Sequence, residues 1–482
     1  MILALGLAAC SKVQDLTPEI TPEESQEKEE VKASVLTFQT VSVDTKTVLS
    51  GKSVNWLATD AIKVFNDEGA SAEFTTSDEK ISGTSATFSG TLEASSRYYA
   101  LFPYDADATI SEGKITTVVP YTVKAETAGS FDSNSNVAVA TTTGTDLAFK
   151  NVLSYIKLDL SEESDVTEVM IRSKGDATKY LSGKVEITVA DVPTVNVVDG
   201  IPFVRLVPAT GDATITPGIY YVPVIPATLS SGISVRVKKA GGLYLKESAN
   251  ALTAERNIPV ALPKIATAGY EYYEELTVCN GNGGFGPSSL FYREYGSNFG
   301  QTDEALPNLG DYKKSTKWVL PGDALRSGYA GDAWYMDGTK TYRGPYLRLD
   351  FNNSNKSNPK IRKPDAVIFE YDAYGNSQYD PTVLRIQAYS TGNKNSLGDA
   401  YGIVAELTQA TDALPAQEAY KDCYVSDRIV RPVNTDQPYG TLILCGTKTA
   451  ACDDLIKNYS GANKWGMSNL RVWIHENPSL SY

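Results

Sequence analysis

Short apolar runs along this chain alternate with polar residues, and Gly, Ser, Asp and Thr separate one run from the next. Alternation with a period of two residues is typical of half-buried β-strands. Long runs with helical periodicity are absent, and Thr, Val and Tyr are abundant. The sequence therefore predicts an all-β protein that begins near Val35. The clearest early strands are IKVF (62–65), ATFSG (86–90) and YYALFPY (98–104), and we expect their aromatic residues to fill a sandwich core.

The later part of the chain shows the same alternation after a stretch that we interpret as a linker, residues 267–275 within LPKIATAGYEYYEE. Regularly spaced strands with loops between them indicate a sandwich or jelly roll. The strands predicted here are YLRLDF (346–351), AVIFEY (366–371), TVLRIQAY (382–389), GIVAEL (402–407), TLILC (441–445) and WGMSNLRVWI (465–474).

The N-terminus carries a short apolar run that ends in Leu7-Ala8-Ala9-Cys10, followed by a stretch rich in Glu, Pro and Thr. Small residues before a cysteine are typical of a lipoprotein signal, and lipidation explains a lone thiol at this place in an exported chain. We expect residues 1–9 to be a signal peptide, Cys10 to carry the lipid, and residues 10–34 to form a disordered acidic tether. An incidental cysteine in a fraying N-terminus is the alternative.

Net charge and cysteine content limit which classes of partner and which kinds of site the chain can have. The 482-residue chain has a net charge of −14, which disfavours nucleic acid, and no apolar run is long enough to span a membrane. A lipid at Cys10 is therefore the expected membrane contact. The four other cysteines allow two disulfides with three connectivities, and Cys445 and Cys452 are close enough in sequence to close a small loop. Zinc is disfavoured, because there is no C-x-x-C and only one His.

The first half contains an ordered series of motifs with a family resemblance. The series is KT (46–47), VNW (54–56), Asp60, IKVF, ATFSG, YYALFPY, GSFD (129–132), LAFKNVLSY (147–155), LSGKV (181–185), GIYYVPVIP (218–226) and RNI (256–258). It resembles the fimbrillin-like family of Bacteroidetes surface lipoproteins. The resemblance implies two transthyretin-like β-sandwiches, residues 35–150 and 151–266, on an outer-membrane lipoprotein. It also implies a fimbrial role in which subunits join by strand addition.

Two departures from that family change the expected role. No Arg precedes Arg97, so an arginine cleavage site near residues 40–50 is missing, and the chain continues well beyond residue 266. We therefore expect a fimbrial tip or accessory subunit, or a surface lipoprotein that does not polymerise, rather than a repeating shaft subunit.

The second half resembles the discoidin-type, galactose-binding-like jelly rolls over residues 276–482. The motifs that carry this resemblance are YLRLDF, the spaced strands, the closing WGMSNLRVWI and the fragment DGT (337–339). The resemblance implies a jelly-roll binding domain, with a structural calcium ion as an option. Asp332, Asp337 and Asp350 are the candidate calcium ligands, and solvated turn aspartates are the alternative.

One loop of this half combines aromatic and charged residues in a way that suits sugars. Aromatic faces cover the C–H surface of a sugar ring, and charged groups bond its hydroxyls. We therefore predict a binding site for glycan, or for a host or bacterial surface protein. The alternative is a rim around the sandwich core, with the tryptophan buried. The candidate residues are Trp334, Tyr335, Asp337, Tyr342 and Arg343.

Catalytic patterns have little support in the sequence. His475 is the sole histidine, and we interpret it as a surface or hydrogen-bonded residue. The G-x-G-x-x-G at residues 281–286 precedes Pro287 rather than a helix, which indicates a loop. We predict no enzyme, no catalytic residue and no resident metal. The predicted function is a surface-anchored adhesin or fimbrial accessory subunit. The alternatives are a non-fimbrial glycan-binding lipoprotein for polysaccharide uptake and, least favoured, a two-carboxylate glycosidase.

Overall fold

The computed structural model describes residues 33–41, 56–82, 84–175 and 179–276 of the chain, and separate segments after them. Those segments are 290–293, 330–332, 335–337, 340–342, 345–351, 362–374, 383–389, 400–408, 420–431, 437–447 and 465–481. Beyond residue 275, side chains are described only in 351, 362–370, 425–431, 437–440, 442 and 471–481. All structural statements below refer to these residues.

Strands are the regular structure throughout the described part of the chain. No α-helix occurs there, and the helical turns are three short 3-10 segments, Asp78–Lys80, Ser133–Ser135 and Thr267–Gly269. No described helix has the length and apolar character needed to cross a membrane. The all-β class predicted from the sequence is confirmed.

The strands of the first part are β1 (Ser34–Thr40), β2 (Ala61–Asn66), β3 (Ser71–Thr75), β4 (Ile81–Ser82), β5 (Ser85–Leu92), β6 (Tyr98–Phe102), β7 (Thr109–Ser111), β8 (Lys114–Val119), β9 (Thr122–Ala125), β10 (Ala138–Thr142), β11 (Asp146–Leu147) and β12 (Lys150–Asn151). The middle part contains β13 (Ser154–Asp159), β14 (Val166–Ser173), β15 (Ser182–Thr188), β16 (Thr194–Ile201), β17 (Phe203–Pro208), β18 (Ile219–Val224), β19 (Ala227–Leu229), β20 (Ile233–Lys239), β21 (Gly242–Ser248), β22 (Leu252–Ala254), β23 (Pro259–Ala261) and β24 (Glu271–Leu276).

The last part contains β25 (Leu290–Arg293), β26 (Ala330–Asp332), β27 (Tyr335–Asp337), β28 (Lys340–Tyr342), β29 (Pro345–Asp350), β30 (Pro364–Tyr374), β31 (Val383–Tyr389), β32 (Ala400–Thr408), β33 (Tyr420–Val425), β34 (Ile429–Val430), β35 (Thr441–Thr447) and β36 (Trp465–Glu476).

The first core lies on one face of a nine-stranded sheet, ordered β11-β1-β5-β3-β2-β6-β10-β12 with β4 beside β5. Alternate residues of these strands point into it, so the predicted strand motifs supply the core directly. Trp56 packs edge-on against Phe88 and Phe102, with ring centroids 5.1 and 4.9 Å away. Phe38, Phe74 and Phe88 are buried in the same apolar cluster.

The other face of this sheet packs on a four-stranded sheet, ordered β16-β15-β8-β7. Phe65 and Leu101 from the first sheet contact Ile115, Val185 and Ile187 in one buried cluster. Strands β8 and β9 precede residue 150 but pair with strands that follow it, β8 with β15 and β9 in parallel with β17. Backbone pairing therefore joins strands on the two sides of residue 150, and the domain boundary expected there stays a prediction.

A β-sandwich forms between the three-stranded sheet β18-β13-β23 and part of an eleven-stranded sheet. Ile156 and Val222 from the small sheet meet Val169, Val204 and Val237 from strands β14, β17 and β20. Sandwich packing, which the sequence predicted, is confirmed here.

The eleven-stranded sheet continues from this sandwich into the C-terminal part of the chain. Its order is β33-β30-β36-β24-β21-β20-β14-β17-β9, with β25 beside β36 and β34 beside β30. Strand β24 pairs with β21 on one side and with β36 on the other. Residues 267–275, expected to be a linker, thus hold most of an internal strand, because both of its edges are hydrogen-bonded.

The remaining C-terminal strands form a five-stranded sheet, β26-β29-β35-β31-β32, and the hairpin β27-β28. Apart from the linker at residues 267–275, the domain limits predicted after residue 266 stay predictions.

Candidate ligand-binding cleft

An open cleft of about 650 Å³ lies between the first sheet and the four-stranded sheet. The end of β6 and the loop after it form one wall, and β8 with the start of β9 forms the other. The lining residues are Leu101, Pro103, Tyr104, Asp105, Ala106, Thr117, Val118, Pro120, Tyr121, Thr122, Asn134 and Val137. This volume and this mixture of apolar surface with a few polar groups are typical of small-molecule sites.

A buried lysine fixes the loop that forms the first wall. Lys63, on β2, is only 6% exposed, and its ammonium group donates to the carbonyl oxygens of Ala106 and Ala108 at 2.6 and 2.7 Å. A buried charge needs such partners, so these two bonds hold the loop against the sheet. The loop is therefore a rigid wall of the cleft.

Hydrogen bonds within the protein fix one carboxylate and one stretch of backbone at the cleft. The Asp105 carboxylate accepts from Thr117 Oγ1 at 2.7 Å and from the Asp107 N–H at 2.9 Å. Buried Asp132 accepts from the N–H of Asn134 at 3.0 Å and from that of Lys124 at 3.0 Å, which presents exposed Asn134 at the cleft rim. The Asp105 carboxylate is therefore held in place, and the backbone of Asn134 is fixed at the rim.

Two tyrosines give the cleft its aromatic surface. Tyr104 is 36% exposed. Tyr121 is half-buried and lies edge-on to Phe203, with ring centroids 5.7 Å apart. The guanidinium carbon of Arg205 lies 5.0 Å from the centre of the Tyr121 ring, within the range of a cation–π contact.

The lining is mainly apolar, with two tyrosines and one carboxylate, and none of its twelve residues is basic. Aromatic rings cover the C–H faces of sugar rings, while Asp105, Asn134 and two threonines offer hydrogen bonds to hydroxyls. An anionic ligand would meet the Asp105 carboxylate with no cation in the lining. The arrangement therefore suits an uncharged, hydroxyl-rich ligand.

Behind the cleft, four charged side chains are buried together, and we name Glu168, Arg205, Lys238 and Glu370 the charge quartet. Lys238 Nζ lies 2.9 Å from Glu168 Oε1 and 2.6 Å from Glu370 Oε2. Arg205 Nη1 lies 3.5 Å from Glu168 Oε2 and 3.3 Å from Glu370 Oε1. The four charges cancel, as buried charges require.

The quartet forms because the eleven-stranded sheet bends back on itself, so that strands far apart in its order face each other. Its strands β14, β17 and β20 direct alternate residues into the sandwich, and the residues between those carry the charges. Strand β30 belongs to the same sheet but lies across this second face, so Glu370 meets charges from two strands with which β30 does not pair, Arg205 of β17 and Lys238 of β20. Buried Arg236 makes a related contact and donates to the Ser426 carbonyl at 2.7 Å.

Burial and ion pairing shift the pKa values of these basic groups in opposite directions. Burial lowers the pKa of Lys238, but the attraction of Glu168 and Glu370 outweighs it and leaves that pKa above its ordinary value. Burial lowers the pKa of Arg236 to about 10. Both side chains therefore remain charged at neutral pH.

The site residues predicted from the sequence fall largely outside the described part. Tyr335 and Asp337 lie on β27 and Tyr342 on β28, and the hairpin register pairs Tyr335 with Tyr342. The side chains of these three residues are not described, and neither are Trp334 and Arg343. The glycan site predicted in this loop stays a prediction.

The same holds for the other predicted sites. Cys10, the signal peptide and Cys452 lie outside the described residues, and Cys445 is described only as backbone of β35. Asp332 and Asp350 are likewise described only as strand backbone, so calcium stays a hypothesis.

The single histidine has a defined partner. His475 Nδ1 lies 2.6 Å from a carboxylate oxygen of Asp365, which fixes the ring at the end of β36. This agrees with the predicted hydrogen-bonded histidine.

Sequence reasoning missed the cleft, although a signal for it exists. The tyrosines of the cleft both follow a proline, in FPY (102–104) and VPY (119–121), where a strand ends. Proline ends the pairing of a strand and lets the next residue leave the sheet. Tyr104, expected in the sandwich core, therefore lines the cleft instead.

No protein-family model and no curated protein matches the sequence. A candidate cell adhesion protein from Bacteroides ovatus is similar over 45% of this chain and 86% of that chain, with 13% identity and a TM-score of 0.30. A surface glycan-binding protein from Prevotella bryantii is similar over 86% of this chain and 90% of that chain, with 10% identity and a TM-score of 0.19. At these TM-scores the likeness carries no functional argument, and both family resemblances stay predictions.

Proposed function

We propose that this chain is a cell-surface binding protein that takes neutral glycans into the cleft between Tyr104 and Tyr121. The observation that carries the proposal is the cleft itself, which combines two tyrosines with the hydrogen-bonded Asp105 carboxylate and the Asn134 amide and has no basic residue in its lining. Stacking supplies affinity, and the polar groups select hydroxyl positions.

The proposal places the protein at the outer membrane, held by lipid on Cys10. In the adhesin form of the proposal, the chain attaches cells to a glycan or surface protein, as a fimbrial tip, an accessory subunit or a separate lipoprotein. In the alternative form, the same cleft captures polysaccharide for uptake. Co-purification with polymerised pilins separates the two forms, since only a fimbrial subunit stays with the polymer.

Binding by the loop of Trp334 and Arg343 is a second part of the proposal. It rests on the sequence pattern alone, so it is tested separately with Trp334→Ala and Arg343→Ala. If these variants keep their fold and bind the same glycans as the wild-type chain, this second site is wrong, and the cleft is unaffected.

The test of the cleft is a glycan array of neutral, amino and uronic oligosaccharides, followed by calorimetry on the best ligand. We expect Tyr104→Ala and Tyr121→Ala each to weaken binding by about 1–2 kcal/mol, or roughly fivefold to thirtyfold. Tyr272→Ala is the matched control, because Tyr272 is 47% exposed and lies outside the cleft lining.

Charge gives the second part of this test. Neutral oligosaccharides should bind more tightly than uronic ones of equal length, because the Asp105 carboxylate repels a uronic acid. Asp105→Asn should therefore reduce the difference in affinity between the two classes. Failure of the wild-type chain to bind any array glycan, or unchanged binding by both tyrosine variants, would contradict the proposal.

A further inference from the structure

One wall of the cleft is supported from behind by residues distant in the chain. The Tyr121 ring has the Arg205 guanidinium 5.0 Å away and Phe203 edge-on at 5.7 Å. Arg205 also lies 5.9 Å from the Phe203 ring. A planar guanidinium over an aromatic face restricts how the ring can turn, so the position of Arg205 sets the position of Tyr121.

The position of Arg205 depends in turn on two carboxylates. Glu168 is on β14, in the same sandwich, whereas Glu370 is on β30, 165 residues further along the chain than Arg205. Lys238 forms ion pairs with both carboxylates and lies 4.9 Å from the Trp473 ring of β36. The C-terminal strands therefore help to position Arg205, and Arg205 contacts Tyr121 of the cleft.

An apolar contact joins the same two regions independently of charge. Val425, at the end of β33, is buried in a small cluster with Met170 and Phe203. Tyr121 and Ile201 pack against that cluster. Tyr121 thus contacts the C-terminal region through packing as well as through Arg205.

We propose that the C-terminal region completes the cleft, with Glu370 and Arg205 as positioning residues that orient Tyr121 toward the ligand. The consequence for binding rests on the function proposed above. The orientation of Tyr121 does not, so it can be measured without any ligand.

The test uses the full chain with 3-fluorotyrosine incorporated at position 121 and follows its ¹⁹F resonance. Arg205→Lys keeps the charge but loses the planar group, and Glu370→Gln keeps the shape but loses the charge. Both should move or broaden the resonance, and so should Val425→Ala, which removes the apolar contact. A resonance unchanged in all three folded variants overturns the proposal.

Asp427→Asn is the matched control. Its carboxylate bonds Arg172 Nε at 2.7 Å between the same two regions, but it is 61% exposed and is not part of the quartet. We expect the Tyr121 resonance of this variant to stay at the wild-type position. A shift as large as that of Glu370→Gln would mean that any loosening of the interface moves Tyr121, which contradicts a specific role for Arg205 and Glu370.

Affinity is the second readout. Glu370→Gln should weaken binding of the best array glycan by about threefold to tenfold, with Asp427→Asn unchanged. Normal affinity together with a shifted resonance would overturn the link to the ligand. If the wild-type chain binds no glycan, the proposed function fails, while the resonance still decides whether the C-terminal region positions Tyr121.

Discussion

The core of the first sheet and the charge quartet are both buried, but they are built from opposite chemistry. The core contains Phe74 and Phe88 at 0% exposure with Trp56 packed edge-on against Phe88. The quartet contains two acidic and two basic side chains, one of them supplied by β30, which is distant in sequence from the other three. The first is stabilised by removing apolar surface from water, and the second by mutual compensation of charges.

This difference governs how each region responds to change. When an apolar side chain in a core is truncated, the protein loses the stabilisation from burying the removed group. The stability costs of two such substitutions at distant sites add. A charge cluster loses most when a single partner goes, since the remaining charge stays buried and unpaired, and it recovers when the partner is removed too.

The largest expected effect is in the apolar core. Phe88→Ala should cost about 3–5 kcal/mol of local stability, because it leaves a cavity beside Trp56. Hydrogen exchange of peptides from β5 and β6, followed by mass spectrometry, measures this. Val35→Ala on β1, at 75% exposure, is the control and should change the exchange free energy by less than about 0.5 kcal/mol.

The quartet should show the opposite behaviour in a double-mutant cycle. Lys238→Met alone should cost about 3–5 kcal/mol, because Glu168 and Glu370 then lose the buried ammonium group that pairs with both. Adding Glu370→Leu should recover a large part of that loss, since one acid and one base remain. Exchange of peptides from β20 and β30 provides the measurement, and strictly additive costs would refute charge compensation.

A pH-dependent effect is expected where the chain enters β24. Glu163 accepts from the N–H and Oγ1 of Thr267 at 2.7 and 2.8 Å, and from Lys239 at 2.6 Å. Burial raises the pKa of Glu163, but these bonds outweigh it and hold that pKa below its usual value. The resulting stabilisation is present above the pKa of the unfolded chain and is lost as pH falls through the folded pKa.

The variant Glu163→Gln should therefore lose less stability than the wild-type chain when the pH is lowered from 6 toward 3, as followed by urea unfolding. The neighbouring Glu162→Gln removes a carboxylate that is 72% exposed, and serves as the control. Identical acid sensitivity of Glu163→Gln and the wild-type chain would contradict this assignment.

The smallest effect should come from a more exposed ion pair. Lys174 Nζ lies 3.3 Å from Glu247 Oε2, and each side chain is about a quarter exposed, at 26% and 28%. Lys174→Ala should cost only about 0.2–1 kcal/mol, and less in high salt. Urea unfolding at low and high salt checks this, and a cost equal to that of Lys238→Met would remove the contrast between exposed and buried pairs.

The contrast also explains what the sequence could predict. The strands of the first core follow from alternation, because Ile62, Val64 and Phe88 reach the core from runs with a period of two. The same alternation in β20 directs Val235 and Val237 inward, and it would ordinarily place Arg236 and Lys238 in water. Only the curl of the eleven-stranded sheet, which depends on contacts far apart in the chain, buries them.

The sequence signals the cleft only weakly, through the proline before each of its two tyrosines, and the reason is related. Tyr104 and Tyr121 are 17 positions apart and follow strands of different sheets, β6 and β8, so no local spacing connects them. Lys63 and Asp132 position the cleft through bonds to main-chain groups, and such bonds leave no pattern of side-chain types. The glycan loop at residues 334–343 was, in contrast, predicted from local composition, and that prediction is still to be tested.

The most direct test of the central claim is a crystal structure of the full chain with the neutral oligosaccharide that binds most tightly on the array. We expect density for a sugar ring against Tyr104 or Tyr121, with hydroxyls bonded to Asp105 or Asn134. A sugar bound at another place, such as the loop at residues 334–343, with the cleft filled only by solvent, would contradict it.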